Sequence, residues 1–294
     1  MGVDPHLLRT FVSVARCASF SAAADELGYT QSAVSQHIAA LEADLRTPLL
    51  HRRPVAPTEA GARLLEHADP LLLRLAAARA DVTRLADAPV ARLVVGVSAL
   101  AAPGLAVRLA DVRAARPLAS VTVRVLEREA VVRQVAGGTL DLGLVDGVAA
   151  PTDPLHLPDV GPLTAHAVAQ EPLVVLLPAG HPLGGTAGLS LADLADARWI
   201  DAPETAMPLD RLRAASGGEG YRPCLRYEGT DVRGLIALAA AGHGLALLPE
   251  SALDGGTAGV AVPITAPRLT HRTELVHRGL LDGPAALLAA ALTT

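Results

Sequence analysis

The chain contains no lysine and no asparagine, so all 25 of its positively charged side chains are arginine. The bias resembles GC-rich coding more than a physical demand, although arginine does suit bidentate phosphate contacts. There are only two cysteines, Cys17 and Cys224. They fall in different predicted domains, which argues against a structural disulfide and for a reducing compartment. Their expected role is packing as small apolar side chains, with a thiol redox sensor as the alternative. No apolar run reaches the ~20 residues of a membrane span, and no charged start with an apolar stretch and cleavage site opens the chain. A cytoplasmic protein without membrane attachment is the expectation. Chemistry is sparse as well. There is no phosphate-cradling glycine loop, no paired-cysteine metal spacing and no Gly-x-Ser-x-Gly elbow. The ten histidines contain no His-Glu-x-x-His pair and read as scattered surface residues. Gly242-His243-Gly244 follows a predicted helix instead of opening one, so this GxG reads as a turn into a strand. No catalytic constellation, cofactor or metal is predicted, and the chain is not expected to be an enzyme.

With 294 residues and 51% hydrophobic content, the chain is long enough for two or three compact units. Charge alone does not point to nucleic acid. The formal net charge is −5. Within the first 65 residues Arg9, Arg16, Arg46, Arg52, Arg53 and Arg63 balance Asp4, Asp25, Glu26, Glu42, Asp44 and Glu59, where a nucleic-acid footprint is normally basic. Positive charge is local, in His51-Arg52-Arg53.

Residues 20–46, FSAAADELGYTQSAVSQHIAALEADLR, read as two short helices joined by a tight turn. Ser21 can cap the earlier helix, Gly28 ends it, and Thr30 precedes the next as an N-cap. In that second helix Val34, Ile38, Leu41 and Leu45 form an inward stripe. Ser32, Ser35 and Gln36 fall on the opposite side, with Gln31 in the exposed first turn. Small residues at Ala22, Ala23 and Ala24, a glycine turn and a short uncharged hydrogen-bonding face together describe a helix-turn-helix able to enter the major groove.

This stretch and its flanks closely resemble the N-terminal domain of LysR-type transcriptional regulators. The matching residues are Leu7, Leu8, Phe11 and Val14, Ser19-Phe20-Ser21-Ala22-Ala23-Ala24, Leu27, Thr30 to Gln36, Ile38, Leu41-Glu42, Leu45 and Thr58-Glu59-Ala60-Gly61. The resemblance implies an α/β protein with a winged helix-turn-helix (1–61), a linker and dimerisation helix (62–88) and a two-lobed, Rossmann-like, periplasmic-binding-protein-type effector domain (89–294). The lobes are expected at about 92–161 plus 267–294 and about 162–266. It implies double-stranded DNA, a small-molecule effector, a second copy of the chain in a homodimer or tetramer, and RNA polymerase as partners. The DNA contacts fall to Ser21, Thr30, Gln31, Ser32, Ser35, Gln36, Arg52 and Arg53, the last two in the wing. Ala56-Pro57 depart from the family there, standing where a basic residue and leucine are usual.

From Thr58 the spacing becomes regular. Leu64, Ala68, Leu71, Leu75, Ala78, Val82 and Leu85 alternate four and three apart, the pattern of a helix–helix seam. Either this stripe packs on its own domain or it pairs two copies; the resemblance implies the second. Asp69-Pro70 is a helix start signal inside the segment, so a kink or a break is expected there. Ala88-Pro89 ends the helix. Beyond it Leu93–Val97, about Pro103–Ala115, Val121–Val125, about Glu129–Gly137 and Leu140–Val145 alternate strand and helix, the βαβ signature of an open α/β sheet. Pro172–Leu177 and Gly242–Leu248 add strands in the second lobe, and about Thr270–Leu292 returns to the first.

Open α/β sheets bind ligands at the carboxyl ends of their strands. Ser98, Ala99 and Leu100 follow the first strand and Asp146 the third. Pro203, Glu204, Thr205, Glu228 and Thr230 lie in the matching loops of the second lobe. The resemblance implies an effector between the lobes at these loops. Ser98 could instead cap a helix, and Asp146 and Glu204 could be solvated. The mixture of donors and acceptors leaves the effector's charge open.

Overall fold

The computed structural model describes residues 3–86, 92–217, 220–253, 259–279 and 281–293. They divide into two compact units, Met1–Val82 with Asp159–Gly161, and Thr83–Pro158 with Pro162–Thr294.

In the first unit, Asp4 caps α1 (Pro5–Cys17), its side chain accepting from the His6 amide. α2 (Phe20–Leu27) is capped by Ser19 rather than by Ser21. Ser19 has the extended backbone of an N-cap and accepts from the Ala22 amide at 3.3 Å, whereas Ser21 is already in the first turn, its hydroxyl 3.0 Å from that of Ser19. Gly28 ends α2 at φ 70°, a left-handed conformation that costs glycine little. Thr30 caps α3 (Gln31–Leu45), accepting from the Ala33 amide at 3.2 Å. Leu8, Phe11, Val14, Ala23, Ala24, Val34, Ile38 and Leu41 close the core. Leu45 departs from the inward stripe and is 36% exposed. It is the last helical residue, and Arg46 then turns the chain away in a left-handed conformation.

β1 (Leu50–Arg52) and β2 (Val55–Pro57) form an antiparallel hairpin, the wing. α4 (Glu59–Ala86) is one helix of 28 residues with Pro70 inside it, so Asp69-Pro70 does not start a new helix and the expected break is absent. Proline removes one bond of the ladder, and the turns on either side continue. The apolar stripe of α4 divides. Ala68 is fully buried in the core of the head and Leu64 packs beside it, which is the own-domain alternative for these two residues. Leu71, Leu75, Ala78 and Val82 are exposed. The Leu85 side chain and Ala88-Pro89 lie outside the described residues.

The second unit begins with β3 (Arg92–Val97), α5 (Ala102–Ala115), β4 (Ser120–Val125), α6 (Arg128–Ala136) and β5 (Leu142–Ala149). β3 pairs in parallel with both β4 and β5, as the βαβ pattern requires. Next come β6 (Thr164–Leu177), β7 (Leu189–Ser190), β8 (Arg198–Asp201), α7 (Leu209–Ser216), β9 (Arg222–Arg226), α8 (Val232–Ala240), β10 (Ala246–Pro249), β11 (Val260–Ala266), β12 (Thr270–His277) and α9 (Gly283–Thr293). The large sheet runs β4-β3-β5-β12-β6-β11-β7, with β10 also on β6. β12 is antiparallel to β5 and β6.

β6 differs from the expected Pro172–Leu177. It begins at Thr164, pairs with β12 as far as Pro172, and only then pairs with β10 and β11 in the second lobe. One strand therefore belongs to both lobes. Its first half is largely exposed, so it lacks the continuous apolar run that marks a buried strand. In the second lobe Leu173, Val175 and Leu177 face a core containing Trp199, Leu212 and Tyr221, while Leu176 faces Ile200, Leu235 and Leu248 across the sheet. In the first lobe Leu93, Val95, Val97, Leu142 and Leu144 pack against Leu105 and Val112 of α5 and Leu288 of α9.

Candidate nucleic-acid interface and effector cleft

α3 buries Val34, Ile38 and Leu41 and leaves Gln31, Ser32 and Gln36 exposed, with Ser35 half-buried. This polar face is uncharged, so it offers hydrogen bonds without fixed electrostatic direction. Thr30 is committed to its cap. The wing is braced by a residue whose role the sequence did not reveal. Glu42 on α3 accepts from the Leu49 amide at 2.8 Å, from the Leu50 amide at 3.2 Å and from Arg52 Nη2 at 3.1 Å. The Arg52 guanidinium also lies 5.0 Å above the Phe20 ring. Arg52 therefore fixes the wing to the helix-turn-helix, and Arg53 is exposed beside it.

Cys17 packs at the edge of the head's core, as expected of a small apolar side chain, whereas Cys224 does not lie in a core. Cys17 is half-buried with Sγ 3.3 Å from Glu26, while Cys224 is exposed and its thiol reaches the carbonyls of Trp199 and His243. Glu26 also accepts from Arg16 and Ser13, and these hydrogen bonds hold its carboxyl down to about 2.

The second unit contains a cavity of about 420 Å³. Among the residues expected at the effector site, Ser98, Leu100, Asp146, Pro203 and Glu204 line it. Ala99, Thr205, Glu228 and Thr230 do not. Ala99 and Thr205 are buried, and Glu228 accepts from Arg226 at 2.9 Å. Ser98 caps no helix. Its hydroxyl accepts from the Asp146 amide at 2.8 Å and lies 3.4 Å from the Leu144 carbonyl, tying the end of β3 to β5. α5 instead starts after Ala101, without a side-chain cap. Glu127, Arg128, His156, Met207, Arg211 and His271 also line the cavity, though nothing in their sequence positions marks them. Gly147 matters to one of them, because any Cβ there would strike the Arg128 guanidinium.

His271, expected as a surface residue, is 2% exposed. Its Nε2 is 3.2 Å from Asp146 Oδ2, and its Nδ1 is 3.4 Å from Glu171 Oε1, close enough for an ion pair though not aligned as a hydrogen bond. Burial by itself lowers the His271 pKa, but Asp146 and Glu171 outweigh it and raise the value to about 9. The floor of the cavity is thus an imidazolium held between two carboxylates. Glu171 also accepts from the Ser251 amide and hydroxyl, each at 3.0 Å. Burial pushes the Glu171 carboxyl up, while its contacts to His271 and Ser251 bring it below the ordinary range. Glu204 moves the other way, raised by desolvation and then by the neighbouring Glu127 carboxylate, against an opposing bond from the Gly229 amide.

Among the described residues no group of three or more His, Cys, Asp and Glu could hold a metal ion, and no helix is long and apolar enough to cross a membrane. Residues 5–62 match the model of the bacterial regulatory helix-turn-helix proteins of the lysR family, and residues 86–291 match the LysR substrate binding domain. A probable hydrogen peroxide-inducible genes activator of Mycobacterium avium is 32% identical over 281 residues, 92% of this chain and 86% of that protein. A small neutral protease regulatory protein of Streptomyces lividans is 30% identical over 293 residues, 99% of this chain and 80% of that one. Full-length CbnR in complex with its target DNA shares the fold, with a TM-score of 0.55, 22% identity and 98% of each chain covered. Full-length BenM does so too, with a TM-score of 0.56, 24% identity and 98% and 95% coverage.

Proposed function

The chain belongs to the LysR family of transcriptional regulators, and from that premise we propose how its own residues read DNA and receive a signal. It is a DNA-binding regulator with a helix-turn-helix and an effector-binding domain. In our reading, Gln31, Ser32, Ser35 and Gln36 meet base edges or adjacent phosphates, and glutamine suits the adenine N6/N7 pair. Thr30 and Ser21 lie beside this face, and Arg53 supplies the wing's phosphate contact while Arg52 positions the hairpin. The exposed residues Leu71, Leu75, Ala78 and Val82 on α4 pair with a second copy, so that two heads address an interrupted, near-palindromic site. The protein acts in the cytoplasm, alone or with RNA polymerase, without catalytic turnover.

The effector binds in the cavity of the second unit. The observation that carries this is the convergence of both lobes on one space of about 420 Å³: Ser98 at the end of β3 and Asp146 within β5, which runs on past the expected strand end, with the Pro203-Glu204 loop after β8. That volume lies at the lower end of small-molecule clefts, ~300–1,000 Å³. No lining residue is a cysteine, which favours reversible ligand binding there over thiol oxidation. A ligand shifts the regulator only through its differential affinity for two arrangements, typically by ~1–3 kcal/mol, so operator affinity should change modestly instead of being abolished. The test is operator binding by the full chain with and without a ligand that raises its thermal stability, repeated on Ala206→Trp, which fills the cavity from its wall. Loss of both effects in the variant supports the cleft. Undiminished stabilisation of the variant places the ligand elsewhere.

A further inference from the structure

The charges lining the cleft are unevenly satisfied, and the imbalance indicates what the ligand carries. Asp146 is already neutralised from below by His271. Glu127 and Glu204 are not. Both line the cavity wall, near enough for the Glu127 carboxylate to push Glu204 up, and neither makes an ion pair with an arginine or histidine among the described residues. Arg226, held by Asp201 and Glu228, feels Glu204 only as the weakest of its charges. Two adjacent carboxylates facing a partly desolvated space repel each other, and a cation placed between them relieves the repulsion.

A second imbalance has the opposite sign. Arg128 is half-buried on the cavity wall and makes no side-chain hydrogen bond or ion pair among the described residues. Its guanidinium lies over the backbone of Gly147, so that a Cβ there would push the guanidinium aside. Arg128 is also the first residue of α6, whose N-terminus has no side-chain cap and favours negative charge near it. Arg211, on the wall of the same cavity, is likewise without a side-chain partner among the described residues. A partly buried guanidinium that lacks a partner gains most from a carboxylate, which matches its fork of donors.

Neither pole is sufficient alone. A simple anion would enter a space whose wall holds Glu127, Glu129, Glu204 and Asp210. A simple amine would leave Arg128 unpaired. We propose that the cleft takes a small zwitterion, an α-amino acid or a short peptide-like molecule, with its ammonium group between Glu127 and Glu204 and its carboxylate on Arg128. The proposal rests on the cleft being the effector site.

The experiment follows the unfolding of the second unit of the full chain through Trp199, the sole tryptophan, which is buried in the core of its second lobe. The probes are the common α-amino acids and a set of dipeptides at millimolar concentration. Simple carboxylic acids, simple amines, and the N-acetyl and amide forms of any stabilising probe serve as comparisons. The expected result is at least one free zwitterion that raises the unfolding temperature, while its N-acetyl and amide forms do not. Glu204→Gln and Arg128→Gln, conservative changes on the cavity wall, should each weaken that probe by roughly tenfold to a hundredfold, the loss expected for one charge-assisted hydrogen bond. Glu204→Gln should narrow the gap between the free and N-acetylated probe, and Arg128→Gln the gap between the free and amidated one. A simple acid or amine that stabilises as strongly as any zwitterion, and loses its effect in Ala206→Trp, overturns the zwitterion and leaves the cleft in place. A ligand that stabilises Ala206→Trp undiminished overturns the cleft itself. If no zwitterion stabilises the chain, the proposed ligand class is wrong.

Discussion

The buried His271 makes the stability of the second unit depend on pH in a direction that can be worked out. Its folded pKa, raised to about 9 between Asp146 and Glu171, lies above the ordinary histidine value of 6.5. A group raised in this way stabilises the fold fully below its unfolded pKa, and the contribution disappears as pH climbs through the folded one. The window therefore runs from about pH 6.5 to about pH 9. At ~1.4 kcal/mol per pKa unit, the whole contribution is at most about 3.5 kcal/mol. Urea unfolding of the full chain, followed by Trp199 fluorescence, should give a midpoint that falls steadily across this window. The decisive quantity is the difference from His271→Gln, which cancels the contribution of every other group. That variant retains a donor but no charge and leaves Asp146 and Glu171 without a cation between them. It should be less stable near neutrality and should approach the parent at alkaline pH. Parallel pH profiles for parent and variant would show that the imidazolium contributes nothing and would refute the reasoning.

Other outcomes follow from the first unit. Gln36→Ala should cost ~1–3 kcal/mol at a cognate site, measured by fluorescence anisotropy, and much less on random duplex; equal losses on both would make Gln36 a backbone contact. Leu71→Asp with Leu75→Asp should convert a dimer to a monomer in sedimentation velocity, because a seam would bury both charges unpaired. An unchanged dimer would remove these residues from the interface. Gly61→Ala should destabilise the head by about 1–3 kcal/mol, since the added Cβ runs into the Leu49 carbonyl at the base of the wing. Amide exchange confined to residues 1–62 would register it, and unaltered protection there would count against the clash.

Much of the first unit was legible because its signals are local. The glycine turn, the Thr30 cap and the period of Val34, Ile38 and Leu41 each lie within one or two helical turns. The errors there are also local: Ser19 and Ser21 both suit a cap, and backbone conformation decides between them. Glu42 was visible as part of the motif, yet its grip on Leu49, Leu50 and Arg52 depends on how the chain folds back at the wing. The second unit was read well where strands are apolar on both faces, as at Val94–Val97 and Leu173–Leu177. It was read poorly at 164–171, where small and polar residues form a largely exposed half-strand. The cleft shows the same limit. Strand ends located Ser98 and Glu204; Asp146 was expected just past a strand but lies within β5, and the partner that gives it its electrostatic role is 125 residues away. No spacing in the chain announces that pairing, and Ser98 turned out to hold β3 to β5 instead of capping a helix.

The most direct test of the account is selection of bound sequences from random duplex DNA by the full chain, run beside a variant carrying Gln31→Ala and Gln36→Ala. The parent should enrich one interrupted, near-palindromic sequence, and the double variant should lose or relax it while retaining salt-sensitive binding to bulk DNA. No enriched sequence for the parent, or the same sequence enriched equally by the variant, would contradict the assignment of α3 as the element that reads DNA.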